Sequence, residues 1–181
     1  DYPPTVAVRE EVDPDEVGPQ RRRRSKGDQA GLRRASGRGT AAAFSRASRR
    51  ARGVPADGLP GPLPAGRTYV SGASVDMTKD GQPVLTITEG GYLKIAFTIP
   101  EDLRGKSLAI LYWDPIANGG AGGWVELPPY AARPDGSPLV HRLHPSASPD
   151  DRMYILGGVR AFGDAATVKV NFAGTFILVA R

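Results

Sequence analysis

The sequence predicts an all-β fold, an antiparallel β-sandwich over residues 68–181, preceded by a long and mostly irregular N-terminal extension. Three observations favour this fold. Large apolar residues recur at every second or third position after residue 68, whereas only Val17, Leu32 and Phe44 occur between residues 13 and 53. Turn signals separate the apolar segments at spacings of about 8–12 residues, as in a sandwich. Glycine and proline, 23 and 17 of the 181 residues, favour turns over long helices.

Each predicted strand is a short run of apolar, aromatic and β-branched residues bounded by glycine, proline or another turn-forming residue. The clearest one, 92–99, alternates apolar and polar residues and ends before a proline. Asp80-Gly81 predicts a tight hairpin, and the glycine-rich stretch 118–123 predicts a flexible hairpin tip. In chain order, the predicted strands are 69–77, 84–88, 92–99, 107–113, 124–127, 139–143, 153–156, 167–172 and 175–180.

The N-terminal extension, residues 1–67, begins with a strand-like segment, 5–12, that is far from every other predicted strand. Asp13-Pro14 ends this segment. An isolated strand has to pair with another strand or stay disordered. The long connection that follows permits two outcomes, pairing with a neighbouring copy or folding back on its own sandwich. The candidate residues of this assembly strand are Thr5, Val6, Ala7, Val8 and Val12.

The positive charge of the chain is concentrated in an Arg-rich arm, residues 21–52, with twelve Arg and Lys residues and one acidic residue. The arm could contact phosphates, be cleaved by a protease, or bind acidic surfaces of neighbouring subunits, and a solvated tail is the simplest alternative. The alanines after Thr40 predict a possible short helix over 41–52, ended by Gly53. The candidate residues of this electrostatic arm are Arg21, Arg22, Arg23, Arg24, Arg33, Arg34, Arg46, Arg49 and Arg50.

Residues 53–67 are predicted to be an extended Pro/Gly linker, because prolines and glycines dominate this segment. The division of the chain that follows is an extension over 1–67 and a sandwich domain over 68–181. No apolar run approaches the ~18 residues that a membrane span needs. A signal peptide is not recognisable either, so we expect a chain that is cytosolic or already processed.

The residues that carry chemistry do not predict an enzyme. The absence of cysteine excludes disulfides, thiol nucleophiles and Cys-zinc sites, and no Gly-x-Ser-x-Gly, phosphate-binding loop or His-Glu-x-x-His occurs. His141, His144, Asp150 and Asp151 could hold a metal only if several geometric requirements coincided. We therefore predict no catalytic residues, no cofactor and no metal site.

Three segments of the C-terminal half resemble a known kind of module: 111–114 (LYWD), 123–128 (GWVELP) and 170–179 (VNFAGTFILV). Together with 86–95, they are similar to Ig-like β-sandwich modules at the C-termini of secreted and cell-surface bacterial proteins. The resemblance covers about residues 85–181. It implies an Ig-like sandwich and a secreted, extracellular or cell-surface location. Trp113 and Trp124, which flank the glycine-rich loop, are expected to pack on each other rather than to stack on a sugar.

These observations favour a structural subunit of an extracellular homopolymer, filament or pilus-like, in which the N-terminal extension interlocks with neighbouring subunits. Donor-strand complementation by 5–12 is the predicted mechanism. The alternative is a coat-like protein whose Arg-rich arm contacts nucleic-acid phosphates, with the sandwich as the shell. A carbohydrate-binding or adhesive module is a third hypothesis.

Overall fold

In the described part of the chain, the computed structural model shows two antiparallel β-sheets packed face to face, so the predicted all-β sandwich is confirmed. The structure describes residues 6–12, 47–87, 91–144 and 152–181. The strands are β1 (Val6–Val12), β2 (Ala47–Gly53), β3 (Thr68–Lys79), β4 (Gln82–Val84), β5 (Gly91–Thr98), β6 (Leu108–Asp114), β7 (Gly123–Glu126), β8 (Val140–Arg142), β9 (Tyr154–Phe162), β10 (Ala165–Val170) and β11 (Gly174–Ala180). The short turns of helix are Ala56–Gly58, Glu101–Leu103 and α1 (Ala117–Gly120).

The first sheet has the strand order β1-β5-β10-β9-β8, and the second has the order β2-β3-β11-β6-β7, with β4 also paired to β3. Contacts between β1 and β2, and between β6 and β9, join the two sheets. Asp80 and Gly81 connect β3 to β4 with φ values of 52° and 78°. This is the left-handed geometry of a two-residue hairpin turn, so the predicted hairpin is confirmed.

The core lies between the two sheets and follows the alternation of the strands. In β5, Leu93, Ile95 and Phe97 are fully buried, and the residues between them are half-buried. The centre of the core is an aromatic cluster in which Tyr112 packs on Phe172 and Phe176, with ring centroids 4.8 and 5.1 Å apart. Aromatic pairs at this separation stabilise a core beyond the area that they bury.

A second apolar cluster covers the outer face of the second sheet. Ala109, Leu111, Ile177 and Val179 are buried there, with Leu59, Leu63, Tyr69 and Trp124 packed against them. This burial explains why β6 and β11 are apolar on both faces. Leu59 and Leu63 come from residues 53–67, so the segment predicted to be a linker forms a layer over the sheet. Residues on both sides of the predicted boundary at 68 therefore pack together.

The helix predicted over 41–52 is wrong for its described part, since residues 47–53 form strand β2. β2 pairs with β3 from Ala47 opposite Lys79 to Gly53 opposite Ala73. A short helix with a single large apolar residue gains little from packing, whereas β3 offers a row of backbone N–H and C=O groups to pair with. The tertiary pairing therefore overrides the local preference of the alanines.

The strand β9 contains a bulge that depends on two glycines. Gly157 and Gly158 have φ values of 80° and 119°, and the register with β10 shifts between Thr167 and Lys169. A Cβ atom on Gly158 would lie 2.6 Å from the carbonyl oxygens of both Pro128 and Pro129. This position therefore excludes side chains both by backbone conformation and by lack of space.

We expect the substitution Gly158→Ala to lower the free energy of unfolding by about 3 kcal/mol or more, because conformational strain and overlap with backbone atoms add. Gly163→Ala is the matched control. Gly163 has a φ of 63° and open space where its Cβ would lie, so only about 1 kcal/mol is expected. Urea denaturation of both variants measures the difference, and equal losses would contradict the role of the close carbonyl oxygens.

Candidate functional site: the edges built by the N-terminal extension

The predicted assembly strand is a strand of the structure. β1 spans Val6–Val12 and pairs antiparallel with β5 over its whole length, from Val6 opposite Phe97 to Val12 opposite Gly91. Thr5 lies outside the described residues. The pairing in the structure is with β5 of the same chain, which is the fold-back arrangement of the two that the sequence left open.

β1 completes the pairing of β5, a strand that contributes much of the core. β5 pairs with β10 on its other side, so without β1 it would become the edge of the first sheet. Val8 is paired with Ile95, which is fully buried, and Ala7 with Ala96, which is half-buried. An uncovered β5 would therefore present both a row of backbone groups and an apolar flank, which is a template for another strand.

The two strands of the extension lie on one side of the sandwich. β1 forms the edge of the first sheet and β2 the edge of the second, and they contact each other. The chain between them, 13–46, lies outside the described residues. The extension therefore completes both sheets at the same flank of the molecule.

Two residues of the predicted electrostatic arm, Arg49 and Arg50, lie in β2 and are exposed. Arg50 is paired with Asp76 of β3, so opposite charges face each other across the strands. Charged residues on an edge strand also oppose uncontrolled pairing with other sheets. The alternative role in contacting nucleic acid stays a prediction. The other arm residues, which lie outside the described residues, are Arg21, Arg22, Arg23, Arg24, Arg33, Arg34 and Arg46.

A buried hydrogen-bonded pair at the end of the sandwich was not predicted from the sequence. Nε2 of His144 lies 2.6 Å from Oδ2 of Asp114, and their side chains are 16% and 5% exposed. The other carboxylate oxygen of Asp114 accepts the backbone N–H of Ile116 at 3.2 Å. A short polar side chain just before a proline is a signal for such a turn, but no local pattern pairs residues 30 positions apart.

The hydroxyl of Tyr112, beside this pair, donates to the carbonyl oxygen of Ala173 at 3.2 Å. Burial raises the pKa of Tyr112 far above its usual range, and the nearby Asp114 carboxylate raises it further. The hydroxyl therefore stays protonated and acts as a donor. Gly174 packs so closely on the Tyr112 ring that a Cβ there would lie 2.6 Å from a ring carbon.

A cavity of about 370 Å³ opens beside the pair of His144 and Asp114. We call it the end pocket, because β6 ends and β9 begins beside it. Its walls are mostly apolar, with a few polar and charged groups among them. The residues that define the end pocket are Leu85, Asp114, Ile116, His144, Arg152 and Met153.

The two tryptophans pack on each other, as predicted. Trp113 and Trp124 face each other across β6 and β7, with ring centroids 5.2 Å apart and planes at 72°. The indole Nε1 of Trp124 donates to the carbonyl oxygen of Gly61 at 3.3 Å. A Cβ on Gly61 would lie 2.5 Å from the Trp113 ring. The chain's own 53–67 segment therefore lies against the aromatic faces that a sugar would need.

The described residues do not bring the candidate metal ligands together. Nε2 of His141 is 3.2 Å from the carbonyl oxygen of Gly157, His144 pairs with Asp114, and Asp150 and Asp151 lie outside the description. Within the described ranges, no cluster of three or more His, Cys, Asp or Glu residues could hold a metal ion. Nor does that part of the chain contain a helix that is long and apolar enough to span a membrane.

Fold and site together define an antiparallel β-sandwich whose two N-terminal strands complete both of its sheets. Comparison of the chain with protein families, with curated proteins and with solved structures finds no match in any of the three. The resemblance to Ig-like modules therefore stays a prediction that rests on 86–95, 111–114, 123–128 and 170–179.

Proposed function

We propose that the protein is a structural subunit of a homopolymer at the cell surface or outside the cell, assembled by its N-terminal extension. The observation that carries this proposal is the pairing of β1. All seven of its residues pair with β5, and residues 13–46 connect it along the chain to β2. A strand held in this way can occupy the same position in a neighbouring copy.

Exchange of β1 between copies costs few contacts, because a swapped strand repeats in the neighbour every pairing that it makes in its own chain. The connecting segment has the necessary reach. The composition of 13–46, with few large apolar residues, favours a coil, and a coil of that length spans about 30 Å, which is comparable with the diameter of a small domain. Both pairings are therefore accessible, and subunit concentration and the ordering of the connection decide between them.

The exchange favours a filament over a closed ring of fixed size. The donor strand and the acceptor edge are different surfaces, so a copy that donates β1 to one neighbour and receives β1 from another contacts both head to tail. Such contacts continue indefinitely unless a rotation happens to close them. The extracellular or cell-surface location is supported by the resemblance to secreted modules alone.

Disulfide cross-linking tests the exchange, since the chain contains no cysteine of its own. Ala7 and Ala96 are partners across β1 and β5, and directly paired residues have a Cα separation that a disulfide can bridge. One chain carries Ala7→Cys and a second carries Ala96→Cys. After mixing at high concentration and oxidation, we expect a disulfide-linked dimer of the two chains in a non-reducing gel.

The control is a pair that cannot exchange. Phe162 and Ala165 are partners across the β9–β10 hairpin, and only two residues separate them. Chains with Phe162→Cys and Ala165→Cys, mixed in the same way, should give no more cross-linking than random collision. If the Ala7 and Ala96 chains link no better than this control at any concentration, β1 stays in its own chain and the proposed assembly fails.

A further inference from the structure

One aromatic side chain of the sandwich is exposed to an unusual extent. Phe162, the last residue of β9, is 90% exposed. It stands at the tip of the β9–β10 hairpin, which turns through Gly163 and Asp164. Burial of a phenyl ring is favourable because it removes a large apolar surface from water, so an exposed ring at a hairpin tip is a strong apolar contact point.

The end pocket is an apolar cavity of suitable size for such a ring. Leu85 and Ile116 form its rim and are 52% and 63% exposed, and Met153 is buried at its base. A cavity of about 150 Å³ is enough to hold a benzene ring, and the end pocket has about 370 Å³. The pocket therefore has room for a phenyl ring and for part of the hairpin that carries it.

Phe162, which we call the knob, and the end pocket lie at opposite ends of β9. Met153 immediately precedes β9, and Phe162 ends it. A strand of nine residues is about 25–30 Å long. The two surfaces therefore point away from each other along the strand direction, and Phe162 cannot reach the end pocket of its own chain.

The charges around the two surfaces are complementary. Asp164, two residues after Phe162, is exposed at the hairpin tip. Arg152 is exposed at the end pocket, whereas His144 of the same pocket is already paired with Asp114. A ring that entered the pocket would bring the Asp164 carboxylate toward the Arg152 guanidinium. The apolar match supplies the affinity, and the charges favour one orientation of the hairpin.

We infer that Phe162 of one copy inserts into the end pocket of a second copy, so that sandwiches stack end to end along β9. A knob and a complementary pocket on opposite ends make a head-to-tail contact that does not close on itself. This inference adds a second kind of contact between subunits to the proposed homopolymer, and this contact does not require strand exchange. Each copy offers one knob and one pocket, so the stack is a single-file fibre.

The test removes strand exchange first. The double variant Ala7→Cys/Ala96→Cys, oxidised and selected for cross-linking within one chain, keeps β1 on its own β5. We call it the locked chain. Its sedimentation coefficient is expected to rise with concentration. Phe162→Ala, and separately Ile116→Glu, should abolish this rise, the first by removing the knob and the second by placing a carboxylate against Asp164.

Mixing gives the decisive result. The locked chain with Phe162→Ala keeps its pocket, and the one with Ile116→Glu keeps its knob. Their equimolar mixture should form a dimer and stop there, because the free ends of that dimer lack a working knob and pocket. Val140→Ala, which trims an exposed apolar residue of β8, is the control and should associate as the locked chain does.

Several results would overturn the inference. A locked chain that stays monomeric at all concentrations has its pocket unused or filled by another occupant, such as its own residues 145–151 or a small molecule. Association that survives Phe162→Ala uses another surface. Neither result bears on strand exchange, which the Ala7 and Ala96 cross-link reports separately. Conversely, the absence of a cross-link between the Ala7→Cys chain and the Ala96→Cys chain leaves the Phe162 test intact.

Discussion

A chain without residues 1–13 is expected to keep its sandwich and to lose strand-exchange polymers completely. The deletion removes the donor strand but none of the core residues of β3, β5, β6, β10 and β11. β5 then becomes an unpaired edge. Far-UV circular dichroism should retain its β signature, electron microscopy should show no strand-exchanged fibres, and a synthetic peptide of residues 1–13 should bind and raise the melting temperature.

Two variants of the full chain separate loss of the strand from loss of the fold. Arg9→Pro removes a ladder donor from the middle of β1, opposite Lys94, and should prevent polymerisation as the deletion does. Arg9→Thr keeps this backbone donor, and should polymerise. Polymers from the truncated chain that depend neither on added peptide nor on Phe162 would refute the donor-strand role of β1.

Breaking the pair of His144 and Asp114 at the end pocket is expected to lower the free energy of unfolding more than breaking an exposed ion pair does. His144→Ala leaves the Asp114 carboxylate buried without its 2.6 Å partner. A buried polar group left without its hydrogen-bond partner typically costs about 1–3 kcal/mol, and the charge of the carboxylate places the expected loss near the upper value. The free energy of unfolding in urea measures it.

The partly exposed pair of Arg67 and Glu126, 3.3 Å apart, is the matched control. Arg67→Ala should cost less than about 1 kcal/mol, because solvent screens exposed pairs. A double-mutant cycle of His144→Ala and Asp114→Asn should show a coupling of about 1–3 kcal/mol. Equal costs for the buried and the exposed pair, or a coupling near zero, would mean that the two side chains do not stabilise each other.

The fold class was predictable because the signals for it are local. The alternation of apolar and polar residues in 92–99 became β5, with Leu93, Ile95 and Phe97 buried. Asp80-Gly81 formed its hairpin because few other residues adopt positive φ so readily. Each of these features depends on residues within a few positions of one another.

The errors arose where distant residues decide the outcome. Residues 47–53 have a helical composition. They form a strand nevertheless, because they pair with the otherwise unpaired side of β3, twenty or more positions away. Leu59 and Leu63 look isolated among prolines and glycines, but they pack against the outer face of β6 and β11 and are half-buried there. The pair of His144 and Asp114 was missed because a hairpin and two strands separate its members in the chain.

The sequence by itself determined that this chain builds an antiparallel sandwich, because strand periodicity and turn chemistry are written in neighbouring residues. It also identified residues 5–12 as a strand in need of a partner. Only the tertiary structure decided which edge receives that strand, how the proline-rich segment covers the second sheet, and where a cavity and an exposed ring lie at opposite ends. Those features depend on surfaces that exist only after distant strands have packed together.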